Sequence, residues 1–104
     1  MPGIDFQRLR AEIPMTQVLD LLAFEPVTRS GVQCYGRCPL HEASAKGKRS
    51  FSVNLVLGRY YCHRCHSHGN ALELWAAASQ LPLYQAAIDL CHRLGREPPW
   101  LEPS

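Results

Sequence analysis

Two short pairs of potential metal ligands constrain this chain more than any other feature. The first pair lies in Cys38-Pro39-Leu40-His41 and the second in Cys62-His63-Arg64-Cys65. In each pair the gap of two residues allows one tight turn to direct both side chains at a single cation. Three sulfurs and one imidazole complete a tetrahedral shell for Zn²⁺ and leave no open position for a catalytic water. The spacing therefore predicts one structural zinc ion.

Length and cysteine content are consistent with a metal-stabilised domain. At 104 residues the chain has room for one small domain. The hydrophobic core of such a domain gives only marginal stability unless a disulfide or a bound metal adds to it. Its five cysteines are an odd number, and no signal peptide opens the chain, so a disulfide framework is not favoured. No stretch approaches 18 apolar residues, so we expect no membrane span. We expect a cytoplasmic protein, because in a reducing compartment Cys/His pairs bind metals more often than they form disulfides.

The net charge of +2 conceals an uneven distribution. Residues 31–69 carry six basic residues and one acidic residue, a formal charge of +5, whereas the flanks carry five basic and eight acidic residues, or −3. Zn²⁺ bound by three thiolates adds −1 to the central segment and leaves it at +4. A basic centre between acidic flanks indicates a surface that binds a polyanion. The alternative is a solvated loop that lysines keep soluble.

Helical patterns occupy both ends of the chain. Asp5 is placed to cap a first helix, and Val18, Leu21, Leu22 and Ala23 give a second helix an apolar stripe that Pro26 ends. Near the other end, Asn70 and Glu73 form a capping-box pattern. Pro82 opens the last helix and Gly95 stops it. The expected inner face of that helix consists of Leu83, Ala87, Leu90, Cys91 and Leu94.

The central segment has the pattern of short antiparallel strands. Residues 27–37 predict two strands around Ser30-Gly31, and Phe51, Val53 and Leu55 alternate with polar residues. Gly58 marks a turn into a strand that ends at Cys62. Two ligand pairs carried on hairpins are typical of a zinc ribbon. The predicted fold class is therefore α+β: a zinc ribbon with a small antiparallel β-sheet over about 27–69, with helical flanks at 4–25 and 70–95, in a single domain spanning 1–104.

Four sequence blocks in order carry a resemblance to a known family. They are Cys38-Pro39-Leu40-His41, Ser50-Phe51-Ser52-Val53, Tyr60-Tyr61-Cys62-His63-Arg64-Cys65 and His68-Gly69-Asn70-Ala71. Over about residues 13–97 the chain resembles the CHC2-type zinc-binding domain of bacterial DNA primases. The resemblance implies a zinc ribbon flanked by helices that binds single-stranded template DNA. It also implies four zinc ligands: Cys38, His41, Cys62 and Cys65.

Three departures from the family pattern affect what the resemblance implies. The loop after His41 is longer and contains Lys46-Gly47-Lys48-Arg49, and Arg64 and His66 stand where the family has glycines. The polymerase core, with the acidic cluster that two-metal nucleotidyl transfer needs, lies outside the resemblance. We therefore expect a stand-alone module that is not an enzyme by itself. Its expected partner is a separate primase, polymerase or helicase subunit.

Basic and aromatic residues near the metal pairs are the candidate nucleic-acid contacts. Tyrosines serve as stacking platforms because any base offers a π-face to an aromatic ring. Tyr60 and Tyr61 cannot both face DNA, since successive strand residues point to opposite sides. The resemblance places Tyr60 in the core and Tyr61 outside, and Tyr35 is a further candidate. The candidate contacts are Arg37, Lys46, Lys48, Arg49, Arg59, Tyr61 and Arg64.

Several residues keep more than one interpretation. Cys34 is either a strand cysteine or a competing ligand, and Cys91 lies on an apolar helix face typical of core packing. The side chains of His63, His66 and His68 are spare ligands or surface groups.

Two functions follow from these patterns. The leading hypothesis is a module that binds single-stranded DNA in replication or primer synthesis, with no membrane and no small-molecule substrate. The alternative is a zinc-stabilised protein-interaction adaptor with no nucleic-acid role.

Overall fold

The computed structural model describes residues 3–38, 40, 50–63 and 66–101. Within these residues two helices precede a five-stranded sheet and two helices follow it, which confirms the predicted α+β class. The helices are α1 (Phe6–Glu12), α2 (Met15–Leu21), α3 (Ala71–Ser79) and α4 (Leu83–Arg93). The strands are β1 (Pro26–Ser30), β2 (Gln33–Gly36), β3 (Phe51–Asn54), β4 (Arg59–Cys62) and β5 (His68–Asn70).

The sheet is antiparallel, and its strands lie side by side in chain order. Gly31 and Gly58 have φ angles of 60° and 64°, which glycine adopts without steric cost, so both predicted turns are confirmed. The side-chain oxygen Oδ1 of Asn54 accepts hydrogen bonds from the backbone N–H groups of Val56 (3.0 Å) and Leu57 (2.8 Å). This side-chain cap fixes the turn between β3 and β4.

One face of the sheet packs against the helices and the other is exposed. Side chains alternate between buried and accessible along β2, β3 and β4, as period-two alternation requires. Phe51 is completely buried, and its ring centroid lies 5.2 Å from that of Phe24 and 5.6 Å from that of Tyr60. Phe51 lies on β3, so the aromatic cluster of the core is centred on this strand.

The predicted helix caps are confirmed. Asp5 Oδ1 accepts from the backbone N–H of Arg8 at 3.0 Å. At α3, Asn70 Oδ1 accepts from the N–H of Glu73 at 2.8 Å, and Glu73 Oε1 accepts from the N–H of Asn70 at 3.2 Å. These two bonds satisfy donors that a helix start leaves unpaired, which fixes the point where β5 becomes α3.

Two predicted apolar faces are wrong in detail. In α2 the buried side chains are Met15, Val18 and Leu19, whereas Leu21 is 37% exposed. The helix ends earlier than predicted because Ala23 adopts a left-handed φ of 55°, and the chain then turns into β1. In α4, Leu83 is 43% exposed and the buried residues are Ala86, Ala87, Leu90 and Cys91. Burial raises the pKa of the Cys91 thiol.

The segments before α1 and after α4 pair with each other, which the sequence did not predict. Ile4 and Trp100 form an antiparallel bridge. It is flanked by hydrogen bonds from Asp5 N–H to the carbonyl of Pro99 and from Leu101 N–H to the carbonyl of Gly3, both 2.8 Å.

A carboxylate on α1 holds the same two parts of the chain together. Glu12 accepts from Arg96 at 3.0 Å and also from Arg8, and the hydrogen bond from Arg96 is the main reason that the pKa of Glu12 lies below its usual value. None of the described helices is long and apolar enough to cross a membrane.

Close packing at Gly36 gives a first testable prediction. A Cβ atom at this position would lie 2.9 Å from two ring carbons of Phe24 and 3.1 Å from the carbonyl oxygen of Glu25. We expect Gly36→Ala to lower the free energy of unfolding of the zinc-loaded protein by about 1–3 kcal/mol, as overpacking does elsewhere. Urea denaturation measures this. Adding Phe24→Leu should recover part of the loss, and strictly additive effects would contradict the proposed clash.

Candidate metal centre and nucleic-acid interface

The sheet brings the first cysteine of each predicted pair to the same end of the ribbon. Gly36, Phe51 and Cys62 are direct partners across β2, β3 and β4. Cys38 follows Gly36 by two residues, and Cys62 is the last residue of β4. Both cysteines are buried, with exposed fractions of 3% and 0%. Two sulfurs far apart in sequence therefore end close to one edge of the core.

Backbone hydrogen bonds hold the chain around Cys62 in a closed turn. The carbonyl of Cys62 accepts from the N–H of His66, and the N–H of Cys62 donates to the carbonyl of Ser67, both at 2.9 Å. The N–H of His63 donates to the carbonyl of Ser50 at 2.7 Å, which ties this turn to the start of β3.

The sulfur environment suits a zinc ion. Cys38 Sγ accepts from the backbone N–H of Leu40 at 3.4 Å. A hydrogen bond to sulfur favours the thiolate, which is the form that binds metal, and buried thiolates suit Zn²⁺ among the common cations. The donor set of the described residues thus fits the predicted ion.

The second ligand of each predicted pair, His41 and Cys65, lies outside the described residues. With only half of the predicted set included, the described residues contain no cluster of three or more possible ligands. Cys34 lies in β2 opposite Val53, on the buried side of the sheet, and Cys91 lies in the helical core. No disulfide joins the cysteines in the described ranges.

Two rows of side chains cross the exposed face of the sheet at right angles to the strands. We call them the aromatic row and the amide row. The aromatic row is Tyr35, Ser52, Tyr61 and His68, and the amide row is Gln33, Asn54, Arg59 and Asn70. Neighbours within a row are direct cross-strand partners, so their side chains lie within contact range of one another.

Tyr61 is the centre of the aromatic row. Its hydroxyl lies 3.1 Å from Nδ1 of His66, and its ring centroid lies 4.7 Å from that of His63 and 6.0 Å from that of His68. Its side chain remains 37% exposed, whereas Tyr60 is 4% exposed, as strand alternation and the family resemblance predict. The three histidines thus surround an accessible ring.

Two of the basic residues predicted to contact nucleic acid lie within the described part of the chain. Arg37 is exposed immediately before Cys38, and Arg59 is exposed in the amide row. Neither guanidinium forms a hydrogen bond or ion pair with another described residue, whereas Arg8, Arg93 and Arg96 bind carboxylates. The candidates Lys46, Lys48, Arg49 and Arg64 lie outside the described residues.

Gln33 and Asn54 are not among the contacts predicted from the sequence. Both alternate with buried residues in their strands, and this pattern could have assigned them to the exposed face. Their alignment with Arg59 depends on strand register, for which the sequence carries no direct signal.

Comparison with known proteins identifies the family. The sequence model of the CHC2 zinc finger, a zinc ribbon of primase type, matches residues 4–102. The chain belongs to the CHC2 zinc finger family. Membership implies zinc binding and confirms the resemblance found in the sequence.

Individual relatives agree with this assignment. DNA primases of two Helicobacter pylori strains are 33% and 30% identical to this chain over 86 residues, which is 83% of this chain. This chain spans only 14% of the length of these primases. A crystal structure of the Aquifex aeolicus primase, comprising zinc-binding and RNA polymerase domains, superposes with a TM-score of 0.71 at 23% identity. That match covers 91% of this chain and 22% of the other, and it shows that the two share a fold.

Proposed function

We propose that this chain is a zinc-stabilised module that binds single-stranded template DNA in a primase-type role in replication. The polymerising chemistry is supplied in trans by a separate primase or polymerase. The protein partner of this chain is that enzyme or a helicase subunit. The relatives named DNA primases support this role, and their greater length leaves room for the catalytic part that the matched region does not include.

In this proposal Cys38, His41, Cys62 and Cys65 hold one structural zinc ion. Support comes from the burial of both described cysteines, from their common position at one end of the ribbon and from the N–H group directed at Cys38 Sγ. The bound ion supplies a cross-link between the two ligand turns and no catalytic water. Its role is to hold the two ligand pairs together at the end of the sheet that carries Cys38 and Cys62.

The observation that carries the DNA-binding proposal is the exposed Tyr61 ring beside the guanidinium of Arg59, which pairs with no other described residue. Stacking of a base on an aromatic ring contributes about 1–3 kcal/mol, and a guanidinium binds phosphate oxygens in a forked geometry. Arg59 and Tyr61 are two residues apart on β4, so their side chains emerge on the same face. The remaining proposed phosphate contacts, assigned from sequence, are Arg37, Lys46, Lys48, Arg49 and Arg64.

A salt titration of oligonucleotide binding tests this function. We expect Tyr61→Ala to weaken binding of single-stranded DNA by about tenfold, with the salt slope unchanged, because stacking carries no charge. Arg59→Glu should weaken binding and flatten the log–log salt slope by about 0.7, the value expected for one phosphate contact on a single strand. Fluorescence anisotropy at several salt concentrations measures both effects.

The matched control is Arg29→Glu, which makes the same charge change at an exposed position on β1, opposite Cys34 and therefore on the other face of the sheet from Arg59. It should change affinity much less than Arg59→Glu. Equal effects of the two reversals, or no binding even at low salt, would contradict the proposal and favour the protein-interaction adaptor. Zinc content of each variant shows that the fold is retained.

A further inference from the structure

A cleft of about 370 Å³ opens on the exposed face of the sheet. Its volume lies in the range of small-molecule sites in proteins. It extends from the tip of the turn between β3 and β4 to the aromatic row. The side chains that matter for its chemistry are Gln33, Asn54, Leu57, Arg59, Tyr61 and His68.

The amide row gives this cleft a pair of groups that can only donate. Asn54 Oδ1 already accepts two backbone hydrogen bonds, from Val56 and Leu57, so the amide nitrogen Nδ2 is what Asn54 can offer to a ligand. That nitrogen donates to no described residue. Arg59, its direct partner on β4, carries a guanidinium with several N–H donors and no acceptor, so it can donate to a base edge and to a neighbouring phosphate at once. A group bound between these two side chains must therefore present acceptors.

The remaining walls suit a flat ring. Leu57 is 69% exposed although its backbone N–H is held by Asn54, so an apolar side chain is presented to solvent in a fixed turn. Tyr61 offers an accessible aromatic ring in the adjacent row. Apolar and aromatic surface that borders polar donors is the arrangement by which proteins bind a splayed base.

The other polar side chains of the cleft do not alter this preference for acceptors. The hydroxyl of Ser52 lies in the aromatic row and donates to the carbonyl of Tyr61 at 3.4 Å. The amide of Gln33 can present either its oxygen or its nitrogen to a ligand. Nδ1 of His68 lies 3.1 Å from the carbonyl of His66 and must donate to it, which leaves Nε2 as an acceptor in the neutral ring. His68 stands beside Tyr61 in the aromatic row, away from the Asn54–Arg59 pair.

We propose that this cleft takes one unstacked base of the bound single strand and selects thymine or guanine over cytosine or adenine. The inference rests on the proposed function and adds a base preference to it. Thymine O4 and guanine O6 are acceptors, whereas cytosine N4 and adenine N6 carry donor hydrogens. When the C4 or C6 substituent points at the two donors, an exocyclic amino group meets them with further donors and leaves both unpaired, which weakens binding.

The test compares labelled oligo-dT and oligo-dC of equal length, bound to the zinc-loaded protein at one salt concentration and mildly alkaline pH. The two bases differ in presenting a carbonyl or an amino group at C4. We expect the protein to bind oligo-dT about fivefold more tightly, at the lower end of the discrimination from one specific base contact. Strand flexibility alone also favours some homopolymers, so the decisive quantity is how the ratio of affinities changes in variants.

The variant Asn54→Asp keeps an oxygen for the turn and replaces the donor NH₂ by an acceptor. We expect it to lower the dT-to-dC affinity ratio about fivefold, to near one. Asn70→Asp is the matched control. It adds the same charge on the other side of Arg59 and still accepts from Glu73 N–H, but it does not border the cleft. It should weaken binding of both oligonucleotides and leave the ratio unchanged.

A second variant covers the case in which Asn54→Asp does not fold. Arg59→Gln replaces a donor-only group at an exposed position by an amide that also accepts, and it should lower the ratio in the same direction. An unchanged ratio in a folded variant, or equal lowering by Asn70→Asp, would overturn the base cleft and leave the proposed function standing. Failure of the native protein to bind either oligonucleotide would overturn both.

Discussion

Replacement of Cys62 by serine should abolish cooperative folding at neutral pH. The expected loss is large because structural zinc contributes on the order of 10 kcal/mol or more in small zinc domains, which equals or exceeds the net stability of most domains of this size. Cys62 is completely buried at the end of β4, and its backbone closes the turn to Ser67. Thermal unfolding followed by circular dichroism, with zinc content measured in parallel, checks this expectation. A strong chelator should have the same effect on the native protein.

Cys34→Ala is the control for this experiment. Cys34 is also a buried cysteine of the sheet, with an exposed fraction of 5%, but it packs in β2 opposite Val53. The variant should bind one zinc ion per chain and unfold cooperatively, with a modest loss of stability. Loss of zinc from Cys34→Ala, or cooperative unfolding of metal-free Cys62→Ser, would contradict the proposed ligand set.

Phe51→Ala should cause the next largest effect, a loss of about 3–5 kcal/mol in the free energy of unfolding, as for other large aromatic residues removed from cores. Phe51 packs between the rings of Phe24 and Tyr60 and is the direct strand partner of Cys62. The cavity would therefore open beside the end of the sheet that carries Cys38 and Cys62, which we call the proposed metal end. Urea denaturation gives the global loss, and hydrogen exchange at the amide of His63, which donates to Ser50, gives the local loss.

Leu90→Ala is the matched variant on the helical side of the core. Leu90 is also completely buried, in α4, so its removal should cost about 2–5 kcal/mol. We expect Phe51→Ala to accelerate exchange more at His63 than in α4, and Leu90→Ala to do the reverse. Equal acceleration at both places in both variants would mean that Phe51 has no particular link to the proposed metal end.

The features that sequence predicted well depend on residues close together in the chain. The cap at Asn70 needs only Glu73 three residues later, and the turns need only Gly31 and Gly58 between alternating runs. Alternation along a single strand likewise put Tyr60 and Tyr61 on opposite faces, and the family resemblance indicated which of them lies in the core. Such signals lie within four or five residues of one another, and local sterics and hydrogen bonding determine them.

The features that sequence missed depend on contacts between separate strands or on local hydrogen-bond geometry that residue identity does not specify. Strand β5 has three residues, one of them Gly69, and it is a strand because β4 lies beside it. The left-handed Ala23 is held where Phe24 N–H reaches back to the carbonyl of Leu19, so the end of α2 could not be inferred from propensity. The donor-only character of Asn54 requires a hydrogen-bond geometry that composition cannot supply.

The pairing of residues 3–5 with residues 99–101 determines how this domain would respond to mechanical tension. The two segments are antiparallel, and residues 3 and 101 lie at the same end of the pair. A pull through these two residues would load the hydrogen bonds one at a time, so they would open in sequence at low force instead of resisting together. The next link in the load path is the ion pair between Glu12 and Arg96. The sheet end that carries Cys38 and Cys62 would bear load only after both terminal segments had peeled away.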